Sequence, residues 1–575
     1  MPGPGAVKQE RYTGLFFYDS FLIIPPLMKK SKKILKTALP VLFIMGLTVI
    51  ILITWFKGRR IETEITMSDG TALSTILFIP GGGGRFPAVM IRTPYNKYNE
   101  EWIGRAFSIF RIAVVIQDVR GKFKSEGEFC PFLNERKDGL ETIRWIRKQS
   151  WSDGTVAGWG ASYLGYTQWA VSDSLDFITP LLSGARLYDL FYPDSLFSLQ
   201  TAGIWGFEVA SDSPNSLDED IIRKNLFTLP VIEADDVTIR DIAFYNDWVM
   251  HEEYDSYWKQ MDFRGRTAAH VLSVAGWYDL FLQCQIADFQ ALDSSGNNRG
   301  RLVIGPWAHG EPGEASQYGG TEKTGDPKLI FRYARRYLKG KKARPGAPMK
   351  DAKYNLFIME RNEYTGSETW PPEETRIIPY YLGPDGYLDP CVPSEEGSLS
   401  YEYDPADPYP SLGGTALGKG VGPARQNPSL KRKDQLVFRR KIEEEPLILL
   451  GPLSASLWLS SSASCTDFYV LLQDEFPDGK IINIQEGGAK FRMSGNEAER
   501  TEIRVWATGY QLNPGHSLRV VISSSWFPRF NRNLNNCEKA AYAKTIRTST
   551  QTVWYGSEKP SSVNLPVYYP AGEGE

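Results

Sequence analysis

At 575 residues the chain exceeds what a single hydrophobic core supports, so two or three domains are expected. Hydrophobic residues make up 42% and charged residues 23%, an ordinary globular balance, and a net charge of −3 supplies no basic field for nucleic acid. The five cysteines (Cys130, Cys284, Cys391, Cys465, Cys537) show no CxxC or Cys/His spacing, which argues against a zinc site and a disulfide framework. Their expected role is that of small buried apolar side chains, with one bridge as the alternative if the body faces an oxidising compartment.

In chain order, the first feature is residues 37–56, an uncharged apolar run of the length that crosses a bilayer. Lys29, Lys30, Lys32, Lys33 and Lys36 precede it and Lys57, Arg59 and Arg60 follow. The heavier basic cluster predicts a cytoplasmic N-terminus and an extracytoplasmic body. The alternative is secretion after signal cleavage, though no small-x-small site precedes the basic exit. A start at Met28 would give a compact basic region followed by the same apolar run, leaving 1–27 without a structural role; a native peptide from 12–27 would exclude that start.

Beyond the anchor, 61–67 and 72–79 read as a hairpin around Ser68-Asp69-Gly70. The runs 86–92, 113–117, 271–275 and 302–304 are short, continuous and apolar, as strands buried on both faces should be. Between them, 135–149 has helical period, with Leu140, Ile143, Trp145 and Ile146 on one side. Buried strands alternating with helices predict a parallel α/β sheet. Residues 181–263 are rich in aromatics and acids and helical in period, for example over 236–250, and predict a helical cap. From about 354 the pattern becomes many short β-rich segments parted by turns, which predicts a β-sandwich of jelly-roll type, with 404–434 as a long loop within it. The expected domains are therefore 1–60 (N-terminus and anchor), 61–180 with 264–352 (split α/β domain), 181–263 (cap) and 353–575 (sandwich).

The chemistry is carried by 156–165, where a strand runs into Gly160-Ala161-Ser162-Tyr163-Leu164-Gly165 and helical character resumes at once. So sharp a turn needs small neighbours, and it presents a serine hydroxyl at the sheet edge beside a helix N-terminus. A nucleophilic serine needs a histidine base and an acid to orient it. Of four histidines, His251 falls in the cap, His270 opens a strand and His516 sits in a turn of the sandwich. His309, in Gly305-Pro306-Trp307-Ala308-His309, leaves the C-terminal end of a strand and is the candidate base. Asp279, after Gly276-Trp277-Tyr278, stands at another strand end and is the candidate acid; Asp118 is expected to pair with Arg120, and Asp153 to serve a turn. The order Ser162, Asp279, His309 is that of α/β hydrolases. Activity should then rise with pH as His309 loses its proton.

These segments, with Arg92-Thr93-Pro94-Tyr95-Asn96-Lys97, Ser125-Glu126-Gly127, Thr466-Asp467-Phe468, Pro477-Asp478-Gly479 and Pro514-Gly515-His516, resemble the cocaine esterase family, related to α-amino acid ester hydrolases and X-prolyl dipeptidyl aminopeptidases. The resemblance spans about 62–569. It implies an α/β-hydrolase sheet with an inserted cap and a C-terminal jelly roll, and an oxyanion hole made by the Tyr95 phenol and the Tyr163 backbone N–H. It implies a serine hydrolase of carboxylesterase or acylase type with no metal or organic cofactor. Unlike the α-amino acid ester hydrolases, the chain has Leu280 and Phe281 directly after Asp279, with no added carboxylate for a substrate ammonium. The cap acids Asp218, Glu219, Asp220, Glu233, Asp235 and Asp236 read as a solvated face, while Phe197, Trp205 and Phe207 are either pocket or core. The expected partners are a small ester or amide, the lipid bilayer and at most further copies of the chain. The competing readings are an X-prolyl peptidase and a non-catalytic surface-binding protein.

Overall fold

The computed structural model describes residues 58–211, 217–294, 300–312, 350–495, 497–570 and a few positions within 331–338; the 37–56 run and Met28 lie outside them. Among the described residues no helix is long and apolar enough to cross a membrane.

The first half is a twisted central sheet built from β1 (Arg59–Thr66), β2 (Ala72–Ile79), β3 (Phe86–Thr93), β4 (Ala113–Asp118), β5 (Ser152–Ala161), β6 (Phe177–Leu181), β7 (His270–Tyr278), β8 (Gly300–Pro312), β9 (Tyr354–Ile358) and β10 (Glu363–Ser367). Their order is β1-β2-β4-β3-β5-β6-β7-β8-β9-β10. The N-terminal hairpin joins β4 antiparallel, β4 through β9 run parallel, and β10 closes the far edge antiparallel. Every residue of β4 is buried, which explains its unbroken apolar run. Helices Glu101–Ile109, Glu135–Lys148, Tyr163–Trp169 and Leu282–Ser294 connect successive parallel strands.

Two strands depart from expectation. β6 was not legible as a strand, because Phe-Ile-Thr-Pro-Leu is short and carries a proline, which rarely sits inside a sheet. The 353 boundary is also corrected: β9 pairs parallel with β8, Leu302 opposite Tyr354, so this segment is a strand of the central sheet. A short, buried, β-rich run does not itself tell which of two sheets it joins.

The cap contains helices Leu199–Ala210, Glu219–Asn225 and Ala243–Met250 with shorter turns. The helix expected over 236–250 begins only at Ala243. Ahead of it, buried Asp235 accepts hydrogen bonds from the backbone N–H groups of Asp236 (3.0 Å) and Ile242 (2.6 Å), which holds 236–242 as a turn.

The second half is an antiparallel β-sandwich whose long strands are Leu447–Ser461, Cys465–Glu475, Ile481–Arg492, Glu499–Leu512 and Ser517–Ser523. The expected role of the cysteines is corrected as well. Cys465 and Cys537 form a disulfide, Cys391 is exposed, and Cys284 alone is a fully buried thiol. Within the supposed loop 404–434, Leu417–Val421 is a strand and Asn427–Lys431 a 3-10 turn.

Candidate active site

β5 stops at Ala161 and a helix starts at Tyr163, leaving Ser162 alone in the turn at φ 56°, ψ −124°. A non-glycine residue there stores backbone strain of about 1–3 kcal/mol. The flanking glycines permit it. A Cβ on Gly160, which has φ +140°, would lie 2.4 Å from Leu164 Cβ, and one on Gly165 would lie 2.4 Å from Ser183 Cβ. The second glycine thus sits one place later than in the usual elbow because it packs against the strand turn after β6.

Asp279 follows β7 and is fully buried. A register shift between Gly276 and Tyr278 re-aims the end of that strand. One carboxylate oxygen of Asp279 accepts the Phe281 N–H at 2.8 Å; the other lies 2.7 Å from His309 Nδ1. His309 Nε2 is 3.0 Å from Ser162 Oγ. The three side chains expected to act together therefore form one continuous hydrogen-bonded chain.

His309 lies within β8, which runs on past the sheet, rather than on a free loop. There Leu417–Val421 pairs with it in parallel, Leu417 opposite His309. The cap secures this strap in turn: Gln200 Nε2 donates to the Leu417 carbonyl at 2.6 Å, and the Lys419 N–H donates to Glu219 at 2.9 Å. Glu219 also binds Arg223 and is only 12% exposed, so it is a tether and not part of a solvated face. Asp235 is corrected likewise, while Asp218 caps its helix by accepting from the Asp220 N–H.

Tyr95 stands after β3 beside Ser162, close enough for the two hydroxyls to interact. The Trp205 indole donates to the Tyr95 oxygen at 2.9 Å, which occupies a lone pair and leaves the phenol proton free to be given elsewhere. Burial pushes this phenol up to about 12, so it stays a donor at neutral pH. The second expected donor, the Tyr163 N–H, opens a helix and therefore has no carbonyl partner within it. The Tyr163 hydroxyl is committed elsewhere: it donates to Glu135 at 2.6 Å and accepts from the Phe132 N–H at 3.0 Å. Glu135 in turn pairs with fully buried Arg92 at 2.5 Å. The helix Glu135–Lys148 thus buries Glu135, Asp138 and Thr142 beside Ile143 and Ile146, a polar stripe that its hydrophobic period concealed.

The expected Asp118–Arg120 pair does not form. Asp118 binds Lys97, through Nζ at 2.8 Å and the backbone N–H at 2.6 Å, with both side chains fully buried. Arg120 instead makes a two-pronged contact with Asp138 at 3.0 and 2.6 Å. Asp118 is the last residue of β4 and meets Lys97 on the segment after β3, whereas Arg120 lies beyond the strand, within reach of Asp138 on the helix Glu135–Lys148. Asp153 does serve its turn, accepting the Thr155 N–H. Two of the other histidines are engaged with other acids, His251 with Asp255 and His516 with Asp474.

Above Ser162 and His309 is a small cavity of about 30 Å³, lined chiefly by Phe132, Trp205, Leu280, Phe281 and Leu417. Trp205 stacks on Phe132 and Trp248. Of the cap aromatics singled out, only Trp205 faces this cavity; Phe197 packs on Tyr192 and Phe207 on Tyr245.

Residues 69–311 match the family model described as X-Pro dipeptidyl-peptidase (S15 family), and 345–564 match the X-Pro dipeptidyl-peptidase C-terminal non-catalytic domain. The chain is 32% identical over 567 residues to the cocaine esterase of Rhodococcus sp. (strain MB1 Bresler), covering 88% of this chain and 97% of that protein. Among solved structures, an aminopeptidase from the marine sediment archaeon Thaumarchaeota archaeon superposes with a TM-score of 0.77 at 22% identity, covering 96% of this chain and 100% of the other. An α-amino acid ester hydrolase superposes with a TM-score of 0.75 at 22% identity, covering 89% and 97%. These two likenesses establish the common fold.

Proposed function

The chain belongs to the cocaine esterase family of hydrolases, and we propose that it cleaves a carboxylic ester with an apolar or aromatic acyl group through an acyl-enzyme on Ser162. The observation that carries this reading is the chain Ser162 Oγ to His309 Nε2 (3.0 Å) and His309 Nδ1 to Asp279 (2.7 Å). In the proposed course, His309 takes the Ser162 proton as Oγ bonds to the ester carbonyl carbon. Negative charge gathers on the carbonyl oxygen, where the Tyr95 hydroxyl and the Tyr163 N–H donate to it. Collapse of the intermediate breaks the bond to the alcohol, which leaves with the proton from His309. Water then repeats the sequence and releases the acid. Asp279 fixes the imidazole tautomer throughout.

An X-prolyl peptidase is the second reading, since both family models carry that description. Against it, no Asp or Glu among the described residues lines the cavity, so a free substrate ammonium would find no counter-charge from them. We likewise propose that 37–56 tethers the body to a bilayer, on the strength of its hydropathy and flanking charge. Alkaline carbonate extraction should leave the protein with the membranes; complete release would reverse that assignment.

A fluorophosphonate probe should label the protein, with labelling lost in Ser162→Ala. Turnover of an aryl ester should exceed that of an Ala-Pro anilide. An unlabelled parent protein would favour a non-catalytic binding role, and preference for the anilide would favour the peptidase.

A further inference from the structure

The cavity above Ser162 is lined mainly by apolar side chains. Thr201 lies on the cap helix Leu199–Ala210, is 3% exposed, and lines the same cavity as Ser162 and His309. Its hydroxyl has no hydrogen-bond partner among the described residues. A helical threonine usually returns its proton to the carbonyl four residues back. That carbonyl, on Phe197, already accepts the N–H groups of Leu199 (2.8 Å) and Asn531 (2.9 Å). The carbonyl three back, on Ser198, accepts the Ala202 N–H at 3.0 Å.

The other polar atoms around this cavity are spoken for. The Tyr163 hydroxyl is held by Glu135 and Phe132, the Tyr166 hydroxyl donates to the Met261 carbonyl at 3.2 Å, and the Trp205 indole donates to Tyr95. Thr201 is therefore the one lining hydroxyl, among the described residues and apart from Ser162, that is left without a partner. A buried hydroxyl left without a protein partner favours a ligand that supplies one.

We propose that Thr201 is a specificity-determining residue that hydrogen-bonds a heteroatom on the acyl group. The substrate class is then esters whose acyl part carries an ether, keto or hydroxyl oxygen on an otherwise apolar body. The proposal rests on the ester-hydrolase reading above and adds to it the polar feature that the lining aromatics do not call for. Selectivity of this kind works by exclusion as much as by attraction, since a pure hydrocarbon acyl group leaves the hydroxyl unpaired.

The test uses the full chain and two shape-matched pairs of 4-nitrophenyl esters: methoxyacetate with butyrate, and 4-hydroxybenzoate with 4-methylbenzoate. Thr201→Val, which keeps the shape and removes the hydroxyl, should shift kcat/KM within at least one pair about 10-fold toward the hydrocarbon member. Thr201→Ser should keep the parent preference. If Thr201→Val changes both members of each pair by the same factor, the proposal is overturned while the hydrolase reading stands. If the parent turns over none of the four esters and takes no fluorophosphonate label, the hydrolase reading falls and this proposal with it.

Discussion

His309 and Leu417 stand opposite each other in a parallel strand pair, so the imidazole is held by main chain from two distant parts of the sequence. Gly418, next in the strap, has φ +108°, and a Cβ there would lie 2.4 Å from a Glu219 oxygen. Gly418→Ala should therefore displace the strap and the imidazole with it. A misplacement of about 1 Å costs on the order of 100-fold in rate. Steady-state kinetics should show kcat falling by roughly 10-fold or more. Unchanged kcat would mean that the strap does not position His309.

Removing the Tyr95 hydroxyl tests the oxyanion hole. Tyr95→Phe should lower kcat by about 100- to 1,000-fold with a smaller effect on KM, as for loss of a donor used only in the transition state. Because burial raises this phenol to about 12, it should contribute no alkaline fall in kcat through about pH 10. An inflection near pH 10 that vanishes in Tyr95→Phe would contradict the protonated-donor role.

Asp118→Asn would leave the Lys97 ammonium buried without a counter-charge. Breaking one side of such a pair costs about 3–5 kcal/mol. Denaturant unfolding should show that loss, and kcat should fall because the Tyr95 loop is freed. Removing both charges together, in Lys97→Met with Asp118→Leu, should cost less than the sum of the single changes.

Burial raises the carboxyl of Asp467, on the strand Cys465–Glu475, from 3.8 to about 6. The folded state then binds the proton more tightly than the unfolded one. The contribution of this group to stability is full below about pH 4 and is lost as pH rises through about 6. Asp467→Asn removes the titration. The stability of the variant relative to the parent should rise by up to about 3 kcal/mol between pH 4 and pH 7. A difference independent of pH across that window would place the carboxyl back in the ordinary range.

The Cys465–Cys537 bridge closes a segment with a sequence separation of 72. On loop-closure entropy, losing it should cost about 4 kcal/mol. Unfolding of the Cys465→Ser, Cys537→Ser double variant checks this, and a loss below about 1 kcal/mol would mean the bridge closes little that is otherwise free.

Ser162, Asp279 and His309 were legible because each follows an apolar run that ends abruptly, and because so few histidines compete. Their supports were not. Leu-Gly-Lys-Gly-Val at Leu417–Val421 has two glycines and reads as loop; only pairing with β8 makes it a strand. Trp205 was visible as an aromatic, yet nothing local connects its indole to Tyr95 across the cap. The partners of Asp118 and Arg120 come from other elements, Lys97 and Asp138, a matter settled in three dimensions. Pro180 hid β6 because proline is scarce inside sheets, and here it is tolerated between β5 and β7.

Since Tyr354–Ile358 covers one side of β8, any attempt to produce the hydrolase half alone must continue past Ser367. An expression fragment cut at 352 would bare the main-chain groups of a hydrophobic strand, the kind of margin on which molecules add to one another and precipitate.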